Sequence, residues 1–435
     1  MPRSLKNDLA HLRKKERLSL HMPGHKGLRL REDTTELALT DNLLHPQGSI
    51  LELEKAIARI YGAKWSYVGT NGSTSFLLGS LFYAGKGQKI VLPRASHQSI
   101  YKGLILGNHQ PIYLENSIDE LDIARPLKTE DYLKALNKGA QAYIFTAPSY
   151  EGYLEDYKIL KPFLKDSLTI VDAAHGSHLY YLKLEDNSWA DLKVISFHKT
   201  LGALNPGAAI LSNLEEDKRE ELNFFQTSSP SFPVLLSIED SLREMMKMKI
   251  AEKLRLMTWL KEETGKIGDL RVVANDDPFK LLISSVSGEL DFKKLGEFLR
   301  EEAGVFMEIE SQGYLLGILS FYDSHEGYKT LIKALKKSTR IDFKIKTHKS
   351  LQGKSHLPQI SLLPGEAFLQ EKKLVPIKEA LGKISGVMYS KYPPGAPLVV
   401  PGEIIDEKII EELLTETGDH TGCSEIKDGS IFIIK

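Results

Sequence analysis

The sequence predicts an α/β protein: a large, mainly parallel sheet interleaved with helices, then a smaller α+β region and a C-terminal α/β module. Three observations carry this. Short apolar runs recur between residues 65 and 211, several separated by helical stretches, which is the spacing of βαβ units. The runs lack polar alternation, which marks strands buried on both faces. Their carboxyl ends collect hydroxyls, imidazoles, an acid and a lysine, and sheets of this kind hold ligands at those ends.

Composition narrows the function. At 435 residues, 42% hydrophobic and 26% charged, the chain is long enough for two or three domains. A net charge of -1 gives no electrostatic case for nucleic acid or an anionic membrane as partner. The one cysteine, Cys423, excludes an internal disulfide framework and a Cys-rich metal site, and suits a reducing compartment. Met1 to Arg17 is basic with no apolar segment behind it, so a secretory signal is not expected. No stretch approaches the roughly 18–20 apolar residues that span a bilayer. A cytoplasmic protein acting on a small molecule is the expectation, with no metal.

In chain order, Ser4 to Ser19 reads as a helix, with Leu5, Leu9, Leu12 and Leu18 near helical spacing. Met22-Pro23-Gly24-His25-Lys26-Gly27 is a shaped basic loop. Ile50 to Tyr61 is an amphipathic helix and Trp65 to Val68 a strand. That strand enters Gly69-Thr70-Asn71-Gly72-Ser73-Thr74-Ser75 before an apolar helix. Backbone N–H groups, hydroxyls and a helix dipole converge there, a natural seat for phosphate. The Gly-Lys-Ser/Thr ending of a nucleotide-binding P-loop is missing. Further strands are expected at 89–92, 111–114, 142–145, 168–171, 194–197 and 208–211, with a helix over 130–138. Beyond a loop at 227–233, a long helix is expected from Val234 to Leu260, then strands at 279–283 and 314–319. Residues 336–357 are polar and basic and read as a linker. A stiff Pro/Gly loop, 392–403, then delivers Glu403. The domains expected are an arm (1–45), a large domain (46–226), a small α+β domain (227–340) and a C-terminal module (341–435).

The chemistry sits at strand ends. His97 follows the strand ending at Leu92; Asp172, Ala174 and His175 follow Val171; Ser196, His198 and Lys199 close the strand that begins at Val194. Lysine is almost never fully buried unless paired or reactive. A lysine beside a hydroxyl and an imidazole suits a Schiff base with an aldehyde cofactor whose phosphate its neighbours hold. Taken singly, Asp172 is equally a helix cap and His97 a core histidine. Their convergence on one sheet edge is what favours chemistry.

These residues resemble the fold-type I pyridoxal-phosphate enzymes, and more narrowly the prokaryotic ornithine/lysine/arginine decarboxylase family. The resemblance spans nearly the whole chain. It rests on 22–27, Asn71-Gly72-Ser73-Thr74-Ser75, Pro93-Arg94-x-Ser96-His97-x-Ser99, Val171-Asp172-x-Ala174-His175-Gly176, Ser196-x-His198-Lys199-Thr200, Gln226-Thr227-Ser228-Ser229-Pro230-Ser231 and the 392–403 loop. It implies that pyridoxal 5'-phosphate is the cofactor and Lys199 its Schiff-base lysine. It also implies that Asp172 pairs with the pyridine nitrogen and that His97 stacks on the ring. Gly72, Ser73, Thr74, Ala174, His175, Ser196 and His198 would line the cofactor site. Ser229 would reach a neighbouring subunit's phosphate, in a homodimer with shared sites. Glu403 would receive the substrate's distal cation and His25 would lie near it. The implied reaction is decarboxylation of arginine, lysine or ornithine, in amine biosynthesis. The family's N-terminal wing domain is not expected with so short a leading segment. Ala173 and Phe197 depart from the family pattern and would reshape the pocket. An aminotransferase or other amino-acid lyase of the same fold, and a non-catalytic regulatory relative, are the competing readings.

Overall fold

Seven of the apolar runs become one sheet. In the computed structural model, which describes residues 4–186, 188–343, 353–391, 395–416, 426 and 429–435, these are β1 (Trp65–Gly69), β2 (Lys89–Pro93), β3 (Gln110–Leu114), β5 (Ala142–Thr146), β6 (Leu168–Ala173), β7 (Leu192–Ser196) and β8 (Ala208–Ser212). A short β4 (Ser117–Ile118) leaves the sheet. The order is β1-β8-β7-β6-β5-β2-β3, and only β8 runs antiparallel to its neighbours. Alternate residues feed two different cores. Val91, Tyr143, Phe145, Val171 and Ile195 pack on one face; Ile90, Leu92, Ile144, Ile170 and Val194 pack on the other. That is the burial on both faces which the unbroken apolar runs predict. Each such side chain contributes about 1.5–3 kcal/mol on full burial.

Helices cover the sheet: α1 (Leu5–Lys15), α2 (Ser49–Tyr61), α3 (Gly72–Tyr83), α4 (Gln98–Gly107), α5 (Thr129–Ala135), the one-turn α6 (Phe197–Thr200) and α7 (Arg219–Leu222). α2 begins at Ser49 and stops at Gly62, which takes the left-handed conformation at φ +69°. α1 ends at Lys15, short of the expected Ser19, because Glu16 turns extended. The helix expected from Val234 to Leu260 is two, α8 (Phe232–Met245) and α9 (Ile250–Thr264). They turn apolar faces to different partners, α8 to α1 and α9 to the next sheet.

That second sheet has the order β11-β12-β10-β9, from β9 (Leu270–Val272), β10 (Lys280–Ser285), β11 (Ile309–Glu310) and β12 (Leu315–Ile318), all antiparallel. α10 (Phe292–Ala303) packs on it, and α11 (His325–Ser338) packs against α10 and α9. The expected linker starts inside α11, and its end, β13 (Gly353–Lys354), pairs with β4. Beyond it, α12 (Pro364–Leu369) packs on α4. The strands β14 (Lys372–Pro376), β15 (Tyr389–Lys391), β16 (Ala396–Val399) and β17 (Ser430–Ile434) and helix α13 (Glu407–Glu416) build a small core around Tyr389, Val399, Ile409 and Ile433. Tyr392, Pro393 and Pro394 of the predicted stiff loop, and Cys423, lie outside the described residues.

Candidate active site

The carboxyl ends of β2, β5, β6 and β7 open on a cavity of about 700 Å³. Ser73, His97, Asp172, Ala174, His175, His198 and Lys199 all line it. Parallel pairing explains the convergence. Asp172 lies opposite Thr146 on one side and Val194 on the other, so consecutive strand ends present their last residues together. Lys199 and His198 follow on α6, directly after β7.

Lys199 is held by geometry rather than by a carboxylate. Its Nζ lies 3.0 Å from His175 Nε2. Burial pulls its pKa down from the ordinary lysine value, against the opposing pull of Asp172 and Glu308. His175 is itself pushed well below the usual imidazole value, by burial first and then by the cations of Lys280 and Lys199. His97 caps α4: its Nδ1 lies 2.7 Å from Ser99 Oγ and accepts from Ser99 N at 3.2 Å. Burial lowers its pKa as well, with Asp172 opposing and Lys199 and Lys102 adding. Asp172 Oδ1 accepts from Ala174 N at 3.1 Å, which fixes the turn after β6. His198 Nδ1 lies 2.9 Å from Gly207 O. A carbonyl only accepts, so this nitrogen carries the hydrogen.

The phosphate-seat residues fit an anion. α3 starts at Gly72, at φ +73°, and Asn71 gives it no side-chain cap, so first-turn N–H groups are left for another acceptor. Ser73 lines the cavity, whereas Thr74, half-buried on the same turn, does not. Ser196 Oγ is buried with no hydrogen-bond partner among the described residues, an orphan donor of the kind a bound group satisfies. A lysine amine, a carboxylate, an orphan hydroxyl and an uncapped helix start fit an aldehyde cofactor with a phosphate arm.

Other predicted residues lie elsewhere. Glu403 is not a cavity wall. It is 1% exposed and closes on Arg94, with Nη1–Oε1 at 2.9 Å and Nη2–Oε2 at 3.0 Å, and Val400 N donates to Oε2 at 2.9 Å. Both its oxygens are committed, so no free acid remains there for a substrate cation. His25 bonds Asp33 at 3.0 Å away from the cavity. Ser229 is exposed on the loop after α7. Ala173 and Phe197 are both wholly buried in the main core and do not line the cavity, contrary to the expectation that they reshape it.

Four residues escaped the sequence reading. Glu151, Glu308 and Glu412 are carboxylates on the cavity wall. Glu308 accepts a hydrogen bond from Tyr150 Oη. Burial raises Glu151 to about 7, against the pull of Lys280. Lys280, fully buried at the start of β10, lies behind the wall with Nζ 3.2 Å from His175 Nδ1. A lysine inside the apolar run Phe279-Lys280-Leu281-Leu282-Ile283 was the available signal for it.

Comparison with known proteins agrees with this geometry. The family model for the Orn/Lys/Arg decarboxylase major domain matches residues 25–265, and that for the C-terminal domain of the same family matches 349–418. The chain is 28% identical to the arginine decarboxylase of Bacillus subtilis, over 96% of this chain and 94% of that protein. It is 27% identical to the arginine decarboxylase of Bacillus anthracis, over 92% and 90%. Among solved structures, the constitutive lysine decarboxylase of Escherichia coli superposes with a TM-score of 0.83 at 18% identity, covering 99% of this chain and 82% of that one.

Proposed function

The chain belongs to the Orn/Lys/Arg decarboxylase family, and on that footing we propose how it acts on a basic amino acid. It is a pyridoxal 5'-phosphate-dependent amino-acid decarboxylase of fold type I that releases the α-carboxyl group as carbon dioxide. The observation that carries the residue roles is the single cavity wall shared by Lys199, Asp172, His97, Ser73 and His198.

Lys199 is the amine that holds the cofactor, and Ser73, Ser196, His198 and the start of α3 hold its phosphate. When bound, pyridoxal phosphate supplies an electron sink for the breaking Cα–carboxyl bond. Asp172 would keep a proton on the pyridine nitrogen of the bound cofactor, because a carboxylate near that nitrogen favours its charged form. His97 covers the site at the amino end of α4 and excludes water. Burial lowers its pKa below the ordinary imidazole value, and Lys199 is the carrier proposed for the proton returned to Cα. Orientation selects carboxylate loss over loss of the Cα proton.

For substrate we propose arginine, supported by the named activity of the relatives that match nearly end to end. Glu308, beside Tyr150, is the acid for the guanidinium in place of Glu403. The exposed apolar side chains Leu18, Leu20 and Leu28 of the N-terminal arm, and the stacked Phe82–Phe224 pair near Ser229, support a homodimer. The single cysteine supports a cytoplasmic setting, in amine biosynthesis. Among the described residues no helix is long and apolar enough to cross a membrane.

The test is product identification with arginine, lysine and ornithine, with trapped carbon dioxide as the second readout. Agmatine from arginine in the greatest yield supports the proposal. Keto-acid formation without gas would overturn it in favour of transamination. Lys199→Ala loses both turnover and the borohydride-reducible cofactor linkage; a variant keeping either refutes the lysine's role.

A further inference from the structure

We propose that Lys280 is the proton partner of Lys199, exchanging one proton with it through the imidazole of His175. The role given to Lys199 rests on the functional reading above; the exchange itself rests on geometry. His175 Nε2 lies 3.0 Å from Lys199 Nζ and His175 Nδ1 lies 3.2 Å from Lys280 Nζ. The ring is clamped between the two amines, with the Tyr150 ring 4.5 Å away, centroid to centroid. An ammonium group only donates, and a neutral imidazole accepts at one nitrogen and donates at the other. Both contacts are therefore hydrogen bonds only when no more than one of the three groups is charged, and the singly charged case is the one that can pass a proton.

Two arrangements with a neutral ring meet that condition. In one, Lys280 is the ammonium, it donates to Nδ1, and Nε2–H donates to a neutral Lys199. In the other the roles are reversed. They interconvert when Lys199 Nζ gives a proton to Nε2 and the proton on Nδ1 passes to Lys280 Nζ. The ring ends neutral with its tautomer switched, and no other reactant is needed. The first arrangement leaves Lys199 as a free amine, the form that attacks an aldehyde. Lys280 is fully buried and does not line the cavity, so it touches no ligand and acts as a positioning residue through His175.

Burial lowers both amines from the ordinary lysine value, against the pull of the surrounding carboxylates. Burial brings Lys280 down to about 8, opposed by Asp277, Glu151 and Glu308 and aided by Lys199. Asp277 is in turn engaged by His178 at 2.7 Å and lies near Lys261. Lys199 faces Asp172 and Glu308, and His175 also feels His97 and His178.

The test uses the cofactor-free protein: trace acylation with acetic anhydride across pH, read at Lys199 by peptide mass spectrometry. The expected midpoint in the native chain lies below the ordinary lysine value of about 10.4. Lys280→Met raises it by about one unit, so that labelling near pH 7.5 falls about tenfold. Lys280→Gln repeats the measurement if the methionine variant melts early. In a His175→Phe background the same change at position 280 has no further effect. An unshifted midpoint in either folded Lys280 variant overturns the proposal. So does a shift of equal size with and without His175, which would make Lys280 a distant charge and nothing more. Borohydride trapping of pyridoxal phosphate on a lysine other than Lys199 would refute the functional reading instead, leaving the acylation result to decide the exchange.

Discussion

Arg94 puts a guanidinium where water does not reach, 4% exposed, with Tyr113 beneath it at 4.9 Å. Among the described residues only Glu403 neutralises it, from the far end of the sequence. Removing one partner of such a pair strands a buried charge at a cost of about 3–5 kcal/mol. Glu403→Ala should lower the unfolding free energy measured in urea by that amount, and adding Arg94→Met should recover most of the loss. A variant as stable as the parent would show the pair to be incidental. Glu151 gives a pH signature. Its folded pKa is about 7 against an ordinary 4.5. Between these values the folded chain keeps a proton that the unfolded chain has lost, so its contribution is full below pH 4.5 and is lost as pH rises through 7. Compared with Glu151→Gln, the native chain should lose stability across that window; parallel curves would refute this. Lys199, Asp172 and His97 were legible in the sequence because each follows an apolar run, and strand ends are where such sheets bind. Glu308 and Lys280 were not. The apolar run around Lys280 signals a buried lysine, but the place of either residue depends on a second sheet docking against the first, which no local pattern encodes.

The strands expected from apolar runs end within a residue or two of those observed, because a run buried on both faces has sharp polar limits; the strands β4, β9, β11 and β13 to β17 were not expected. Helices α8 and α9 were fused in the sequence reading because Met245, Met246 and Met248 continue the apolar period across the bend. What separates them is a change of packing partner. The Ser149–Gly152 turn shows an element doing two jobs. Gly152 O accepts from Asp276 N at 3.0 Å and Asp277 N at 2.9 Å, which seats the start of β10 on the main sheet's turn. Gly152 sits at φ +89°, and a Cβ there would lie 2.5 Å from Lys280 Cγ and 2.9 Å from Asp277 Cβ. Gly152→Ala combines left-handed strain of about 1–3 kcal/mol with a steric clash. Its melting temperature should fall, and Lys199 acylation should shift as in the Lys280 variants. An alanine variant with native melting would disprove the tight seating.

At the scale of the molecule, the N-terminal arm leaves large apolar side chains uncovered. Leu20 and Leu28 are 85% and 91% exposed, more than a stable surface needs and consistent with an interface. Sedimentation should give a dimer, and Leu20→Asp with Leu28→Asp should shift it toward monomer with loss of turnover. A native chain that sediments as a monomer would refute the shared-site arrangement. The order of modules is an expectation drawn from composition shifts. How the C-terminal module closes on the large sheet could not be drawn from them, since its anchor joins residues 309 positions apart.

That separation has a consequence in time. A ribosome adds about 5–20 residues per second, so Arg94 is made about 15–60 s before Glu403 exists. Throughout that interval the nascent large sheet carries an unmatched charge next to the future cavity, and Leu398, which also accepts from Arg94, has yet to be made. The sheet can form early, but its binding wall is finished only near the end of synthesis. Closure of the cavity thus becomes one of the last events in the making of the protein, tied to completion of the chain rather than to folding of the sheet.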